Sequence, residues 1–326
     1  MITIQSLAGM LVGLLAAIPP AAAQDWPARP VTMVVSFAAG GGADVMGRIL
    51  AARLSELLGQ QVIVENVAGA GGMTGTARVA RAAPDGYQLA LGSVGTHAYN
   101  QTLYKKPLYN AVTDFTPVAL IAETPQVLVA RKDLPADDLK AFIAYAKASQ
   151  ASMQYGSAGA GSPTHLACAL LNSVIGIDVT HIPYRGAAPT MQDLIAGRID
   201  YQCPNTTVAV PQIESRTIKA LAILTRERSP ILPDLASTHE QGLTDFEASI
   251  WYALFLPKGA PPGIVARLHD AAVAAVETPS VQARFNEIGA TVVAPQRRSA
   301  DYLQSFVASE IRKWAAPIKA ANITGE

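Results

Sequence analysis

Two glycine-rich segments gather the residues best suited to chemistry: Phe37-Ala38-Ala39-Gly40-Gly41-Gly42-Ala43-Asp44 and Gly156-Ser157-Ala158-Gly159-Ala160-Gly161-Ser162-Pro163-Thr164-His165. Each follows a short apolar run and precedes a helical pattern. Glycines let the backbone approach a ligand closely. The first N–H groups of the following helix have no partner within it, and they carry partial positive charge. Such a loop favours an anion. Candidate contacts are Phe37, Ala39, Gly40 and Asp44 in the first loop, and Ser157, Ala158, Gly159, Ser162, Thr164 and His165 in the second. Ser93, Arg185 and Asn205 lie near the ends of other predicted strands, where open α/β sheets place their ligands. Asp44 suits a helix cap as well as a ligand contact. His165 suits packing or capping, and Arg185 suits either the cleft or a surface ion pair. No strongly basic cluster is present, so a carboxylate fits better than a phosphate or polyanion. Aromatic residues make up only 6% of the chain, which leaves little to stack on a sugar.

Catalytic patterns are missing where they would be expected. Ser157 follows Gly156 directly, and Ser93 follows Gly92 directly, so neither has the G-x-S-x-G spacing of a hydrolase elbow. A nicotinamide site is the other reading of the glycines. Gly69, Gly71 and Gly72 lie near a strand, and Glu65 sits where a ribose-binding acid would. No G-x-G-x-x-G follows the first strand, however, and Thr74 fills the last place of the only near match. The histidines at 97, 165, 181, 239 and 269 have no metal spacing, and no cysteine pair is close in sequence. Neither a metal nor a cofactor is expected, and the chain is not expected to be an enzyme.

The elements that position these loops can be read from periodicity. Val31 to Phe37 is a β-branched run that predicts a buried parallel strand. A helix is predicted from about Ala43 to Leu58 on the stripe Met46, Leu50, Leu54, Leu57 and Leu58, ending at Gly59. Val62 to Val64, a short helix, the turn Pro84-Asp85-Gly86 and a strand around Leu89 to Leu91 complete a βαβαβ unit. A second unit follows. It has an extended Val118 to Ala130, a helix Ala136 to Ser149 and a strand Met153 to Gly156. Next come helices at Thr164 to Ile175 and Ala188 to Ala196, and strands at Val179 to Ile182, Ile199 to Tyr201 and Ile218 to Leu224. Ser249 to Leu256 reads as a strand that re-crosses between the units. Helices Ile264 to Glu277 and Tyr302 to Ala321 end the chain, the latter kinked or thinned at Pro317. The fold class is α/β, with two doubly wound sheets joined by crossing strands.

Residues 1–23 stand apart. Ile2 to Ala23 holds no charge, Leu7 to Ile18 is an apolar stretch, and Ala21-Ala22-Ala23 is a small-residue cleavage site. That is the pattern of a signal peptide, and it is too short to span a bilayer. No later stretch supports membrane insertion of the mature chain. Lys plus Arg and Asp plus Glu both total 25, so no broad attraction to nucleic acid or anionic membrane is expected. Cys168 and Cys203 are the only cysteines. Export permits a disulfide between them, and two free thiols are the alternative.

Taken together, several blocks resemble the Bug family, the binding proteins of tripartite tricarboxylate transporters. They include Trp26-Pro27, the first glycine loop with Asp44 and Arg48, Val64-Glu65-Asn66, Gly69-Ala70-Gly71-Gly72 and Pro84-Asp85-Gly86-Tyr87. Further on come Gly156-Ser157-Ala158-Gly159, Pro183-Tyr184-Arg185-Gly186, Ala196-Gly197-Arg198-Ile199-Asp200, Leu221-Ala222 and Trp251. Glu214-Ser215-Arg216 departs from the family at a turn that often holds glycine. The resemblance implies a two-lobed type II periplasmic binding fold: residues 24–124 plus 251–326 form one lobe and 125–250 the other. It implies a carboxylate held between the two glycine loops by backbone donors and bridging water. It also implies a periplasmic location and, as partners, a small carboxylate and the subunits of a membrane transporter, with the chain acting as a monomer. A secreted hydrolase-like enzyme and a ligand-sensing partner of a membrane receptor are the competing roles.

Overall fold

The computed structural model describes residues 26–244 and 246–325. The predicted leader, 1–23, lies outside the described residues. Among the described residues, eleven strands form two sheets. The first contains β1 (Val31–Val35), β2 (Val62–Asn66), β3 (Gln88–Ser93), β4 (Phe115–Pro125), β10 (Ser249–Pro257) and β11 (Thr291–Val292), in the order β11-β4-β10-β3-β1-β2. The second contains β5 (Val127–Arg131), β6 (Gln154–Ser157), β7 (Thr180–Pro183), β8 (Tyr201–Gln202) and β9 (Ile218–Ile223), in the order β7-β6-β8-β5-β9. In each sheet three strands run parallel and strands from the crossing segments pair with them antiparallel.

The helices in chain order are α1 (Gly42–Leu58), α2 (Met73–Ala80), α3 (Asn100–Leu103), α4 (Leu139–Ser149), α5 (Pro163–Ile175), α6 (Ala187–Ile195), α7 (Thr206–Glu214), α8 (Pro262–Glu277), α9 (Pro279–Glu287) and α10 (Ala300–Ala320). Most follow the predicted stripes. In α1, Met46, Leu50, Leu54 and Leu58 are buried one turn apart, and Gly59, in the left-handed region at φ 71°, returns its N–H to the Ser55 carbonyl. In α5, Ser162 caps the helix by accepting the His165 N–H at 3.3 Å, and Pro163 fills the first helical position. Helix α10 continues through Pro317 to Ala320 and packs Leu303, Val307 and Ile318 inward.

The chain passes between the sheets through a single residue, Gln126, which separates β4 from β5. It returns through the segment between Leu224 and Ala248. Strand β10 therefore lies wholly in the first sheet, and the return crossing sits upstream of the strand that the sequence suggested. Backbone hydrogen bonds tie the two passages together. Leu224 N–H donates to Gln126 O at 2.8 Å, Gln126 N–H to Ala248 O at 3.1 Å, and Ala248 N–H to Leu224 O at 2.7 Å. Gln126 is buried, and its Nε2 donates to Cys203 O at 2.8 Å. Cys168 and Cys203 are joined by a disulfide, with Cα atoms 5.5 Å apart. It links the second turn of α5 to the end of β8.

Candidate ligand-binding site

The first glycine loop leaves β1 and opens into α1 with Gly41 as the cap residue. Asp44 lies in the first turn, and its carboxylate accepts Gly40 N–H at 2.9 Å, Arg48 Nε at 3.0 Å and Asn66 Nδ2 at 2.9 Å. Asn66 Nδ2 also donates to Phe37 O at 3.0 Å. Burial works to raise the Asp44 pKa, but hydrogen bonds from Arg48, Gly40 and Asn66 outweigh it and hold the carboxyl below its ordinary value. Asp44 therefore braces its own loop. Its carboxylate oxygens are engaged by these donors, and Asp44 is not among the residues lining the cavity described below.

The second glycine loop is held from behind. Ala158 N–H donates to Thr164 Oγ1 at 2.8 Å, and Gly161 N–H to His165 Nδ1 at 3.1 Å. Ser157 Oγ donates to Gly159 O at 3.1 Å and lies 2.6 Å from His181 Nε2. The His165 and His181 rings stack 3.9 Å apart. Burial lowers the His165 pKa to about 3, helped by the neighbouring His181, and burial lowers His181 to about 4. Both are neutral at pH 7, so His165 Nδ1 is free to accept its loop hydrogen bond. Ser157 and His181 resemble two members of a hydrolytic triad. Among the described residues no carboxylate hydrogen-bonds to His181, and Ser157 faces its own loop rather than the cavity. The pair shapes the loop.

Between the two loops lies a cavity of about 40 Å³. Four helix starts converge on it: Gly41, Gly42 and Ala43 at α1, Pro163 and Thr164 at α5, Ala187 at α6, and Asn205 at α7. Each contributes roughly 0.3–1 kcal/mol toward an anion before any hydrogen bond forms. Phe37, Ser93 and Ala158 complete the walls, and Ile250 and Tyr252 of β10 also line it. Ser93 Oγ is buried and has no hydrogen-bond partner among the described residues. Tyr252 accepts Asn205 Nδ2 at 3.1 Å, and burial pushes its phenol pKa up to about 12, so it stays protonated. The arrangement can surround a carboxylate with donors while apolar groups exclude water.

Of the residues expected at the site, Phe37, Ser93, Ala158, Thr164 and Asn205 meet in this cavity. Gly159 and Arg185 line a wider chamber of about 280 Å³, which shares Phe37 and Ala158 with it. Ala39, Gly40, Ser157, Ser162 and His165 line neither. Ser162 and His165 act as cap and loop acceptor. Ala187 and Tyr252 escaped sequence reasoning. A tyrosine inside the apolar run of strand β10 was the available signal for Tyr252, because a buried phenol needs a partner. The nicotinamide alternative loses its acid: Glu65 is held by Arg78, with Nη2 to Oε2 at 2.7 Å. Among the described residues, no group of three or more His, Cys, Asp or Glu could hold a metal ion.

The family model "Tripartite tricarboxylate transporter family receptor", TctC, matches residues 46–323. The chain belongs to this family. TctC relatives include Protein BugT of Bordetella pertussis, 35% identical over 312 residues, covering 95% of each chain. MatC of Rhodopseudomonas palustris, solved with bound malate, is 39% identical with a TM-score of 0.87, covering 90% of this chain and 99% of that one. An R. palustris protein with adipate is 35% identical with a TM-score of 0.88, covering 92% and 99%. The TctC fold is thus the two-lobed architecture of periplasmic binding proteins, with this chain's cavity between its two sheets.

Proposed function

We propose that this TctC receptor is a periplasmic solute-binding protein that captures a small organic carboxylate and delivers it to a membrane transporter. The observation that carries the reading is the meeting of four helix N-termini and the unpaired Ser93 hydroxyl in one cavity. The malate and adipate bound by its relatives support the ligand class. The family description supports delivery to a tripartite transporter. The leader-like segment 1–23 supports export.

The two bodies of the proposal are residues 24–124 with 251–326 and residues 125–250, with the hinge at Gln126 and the Leu224–Ala248 passage, so that Pro125, Ser249 and Ile250 go with the strands of the first body. Sheet membership supports that division, because β4 and β5 lie on either side of Gln126 in different sheets. Binding rather than catalysis is the activity proposed. A thermal-shift screen of the mature protein against mono-, di- and tricarboxylates, neutral sugars and amino acids tests it. The proposal expects the largest stabilisation among the carboxylates. Stabilisation by sugars alone would refute it.

A further inference from the structure

Strand β10 separates two cavities. Ile250 and Tyr252 line the one already described. Their neighbours Ser249 and Trp251, which the alternation of a strand turns to the opposite face, line another of about 230 Å³. Three carboxylates, Glu123, Glu247 and Glu310, share this second cavity with two cations, Arg297 and Lys313. Their pairing is uneven. Arg297 Nη2 lies 2.6 Å from Glu123 Oε1, which closes that pair. The Glu310 side chain is only 9% exposed. Its Oε2 accepts both Trp251 Nε1 and Trp314 Nε1 at 3.0 Å. Its Oε1 takes no hydrogen bond among the described residues, because Lys313 Nζ stands off at 3.6 Å on a side chain that is 64% exposed. Glu247 is exposed, and its carboxylate forms no ion pair among the described residues. The apolar walls are Trp251, Phe306 and Trp314. Trp251 and Phe306 meet edge to face with ring centres 5.4 Å apart, and Trp314 meets Tyr99 in the same way at 5.1 Å, so the rings are fixed in place.

We propose that this cavity is a second binding site, which takes an organic cation of the guanidinium or alkylammonium class. Glu310 Oε1 offers a charged acceptor at a largely dry position, where a hydrogen bond to a cation is stronger than in water. Indole and phenyl rings attract the same cations through their faces and keep water away. The chain supplies its own stand-in: Lys313 Nζ lies 5.0 Å from the centre of the Trp314 ring, where an incoming ammonium would sit. Being largely exposed, Lys313 can swing aside at little cost. Glu247 directly precedes Ala248, whose N–H bonds Leu224 O in the return passage. An occupant would therefore touch the hinge from behind. The site goes beyond the carboxylate reading and does not depend on it.

Calorimetry on the mature protein, with no carboxylate added, tests the site with n-butylguanidinium against n-butylurea, its neutral isostere. The cation is expected to bind at least about tenfold more tightly than the urea and to change the tryptophan fluorescence. Glu310→Gln is expected to weaken the cation about tenfold, and Glu247→Gln, at an exposed position, about two- to fivefold. Should Glu310→Gln fail to fold, Glu247→Gln alone decides. Two blocked peptides, Gly-Arg-Gly and Gly-citrulline-Gly, then separate the sources of the cation. An arginine peptide that binds more tightly than n-butylguanidinium identifies a basic side chain of a partner protein, and one that binds more weakly identifies a free small cation; either supports the site. Equal binding of n-butylguanidinium and n-butylurea would overturn the proposal. So would binding of neither, or full cation affinity in the folded variants.

Discussion

Asn205 lies so close to Gly42 that a methyl group on residue 42 would overlap its side-chain amide, which in turn donates to the Tyr252 hydroxyl at 3.1 Å. Gly42 opens α1 beside the first sheet, and Asn205 caps α7 beside the second. The contact therefore joins the two halves of the molecule directly at the cavity. Helix α1 itself would accept alanine at this position without strain.

Gly42→Ala is accordingly predicted to weaken ligand binding by about tenfold or more, because closure must break the Asn205–Tyr252 bond or stop short. Melting of the ligand-free protein should not fall. Small-angle scattering with saturating ligand should give a larger radius than for the wild type. Wild-type affinity in the variant would show that this contact is not needed for capture.

Ser93 gives the opposite pattern of costs. Its hydroxyl is buried without a partner, so the empty protein bears a desolvation penalty that a ligand oxygen would relieve. Ser93→Ala should leave the empty protein equally or more stable, while weakening carboxylate binding by about 10- to 100-fold. Denaturant titration and calorimetry on the same samples separate the two effects. Unchanged affinity would remove Ser93 from the site.

Much of this arrangement was legible in the sequence. Strand β1 and helix α1 follow from a Val-rich run, a triple glycine and a leucine stripe, because those patterns are set by burial on one face. Helix α7 was not legible. Thr206, Thr207, Val208 and Val210 are poor helix formers, and Pro211 lies inside the helix, so local propensity argued for a loop. Packing against the rest of the lobe overrides that preference, and with α7 comes the fourth helix start. The direction of Asp44 was equally hidden. The partners that turn it inward, Gly40 N–H and Asn66 Nδ2, come from its own loop and from the end of β2.

Acid should destabilise the fold through its buried imidazoles. Burial lowers His97 to about 3, and His165 and His181 lie at about 3 and 4, against an ordinary 6.5. Between those values the unfolded chain binds more protons than the folded one. The stability that these groups contribute is therefore complete above pH 6.5 and is lost as pH falls toward 3–4. For His97, stacked on Phe255 at 3.8 Å, the loss is about 1.4 kcal/mol per pH unit. Urea unfolding from pH 7.5 to 5 should show falling stability, with a shallower slope in His97→Gln. A flat profile would contradict the neutral, buried assignment.

The Cys168–Cys203 bridge spans 35 residues. Replacing both cysteines by alanine should lower stability by about 4 kcal/mol through the freed unfolded chain. It should also weaken binding, because the bridge ties the second turn of α5 to the segment leading into Asn205. Thiol counting on the denatured, unreduced protein should find none free. Two free thiols, or a stability unchanged by the double substitution, would contradict the prediction.

The central claim is that the cavity selects negative charge. Calorimetric titration of the mature protein at pH 7 and low salt, with a bound carboxylate and with its primary amide, tests it most directly. Four helix ends and a free hydroxyl predict that the acid binds at least about tenfold more tightly than the amide. An amide that binds as tightly as the acid would contradict the account.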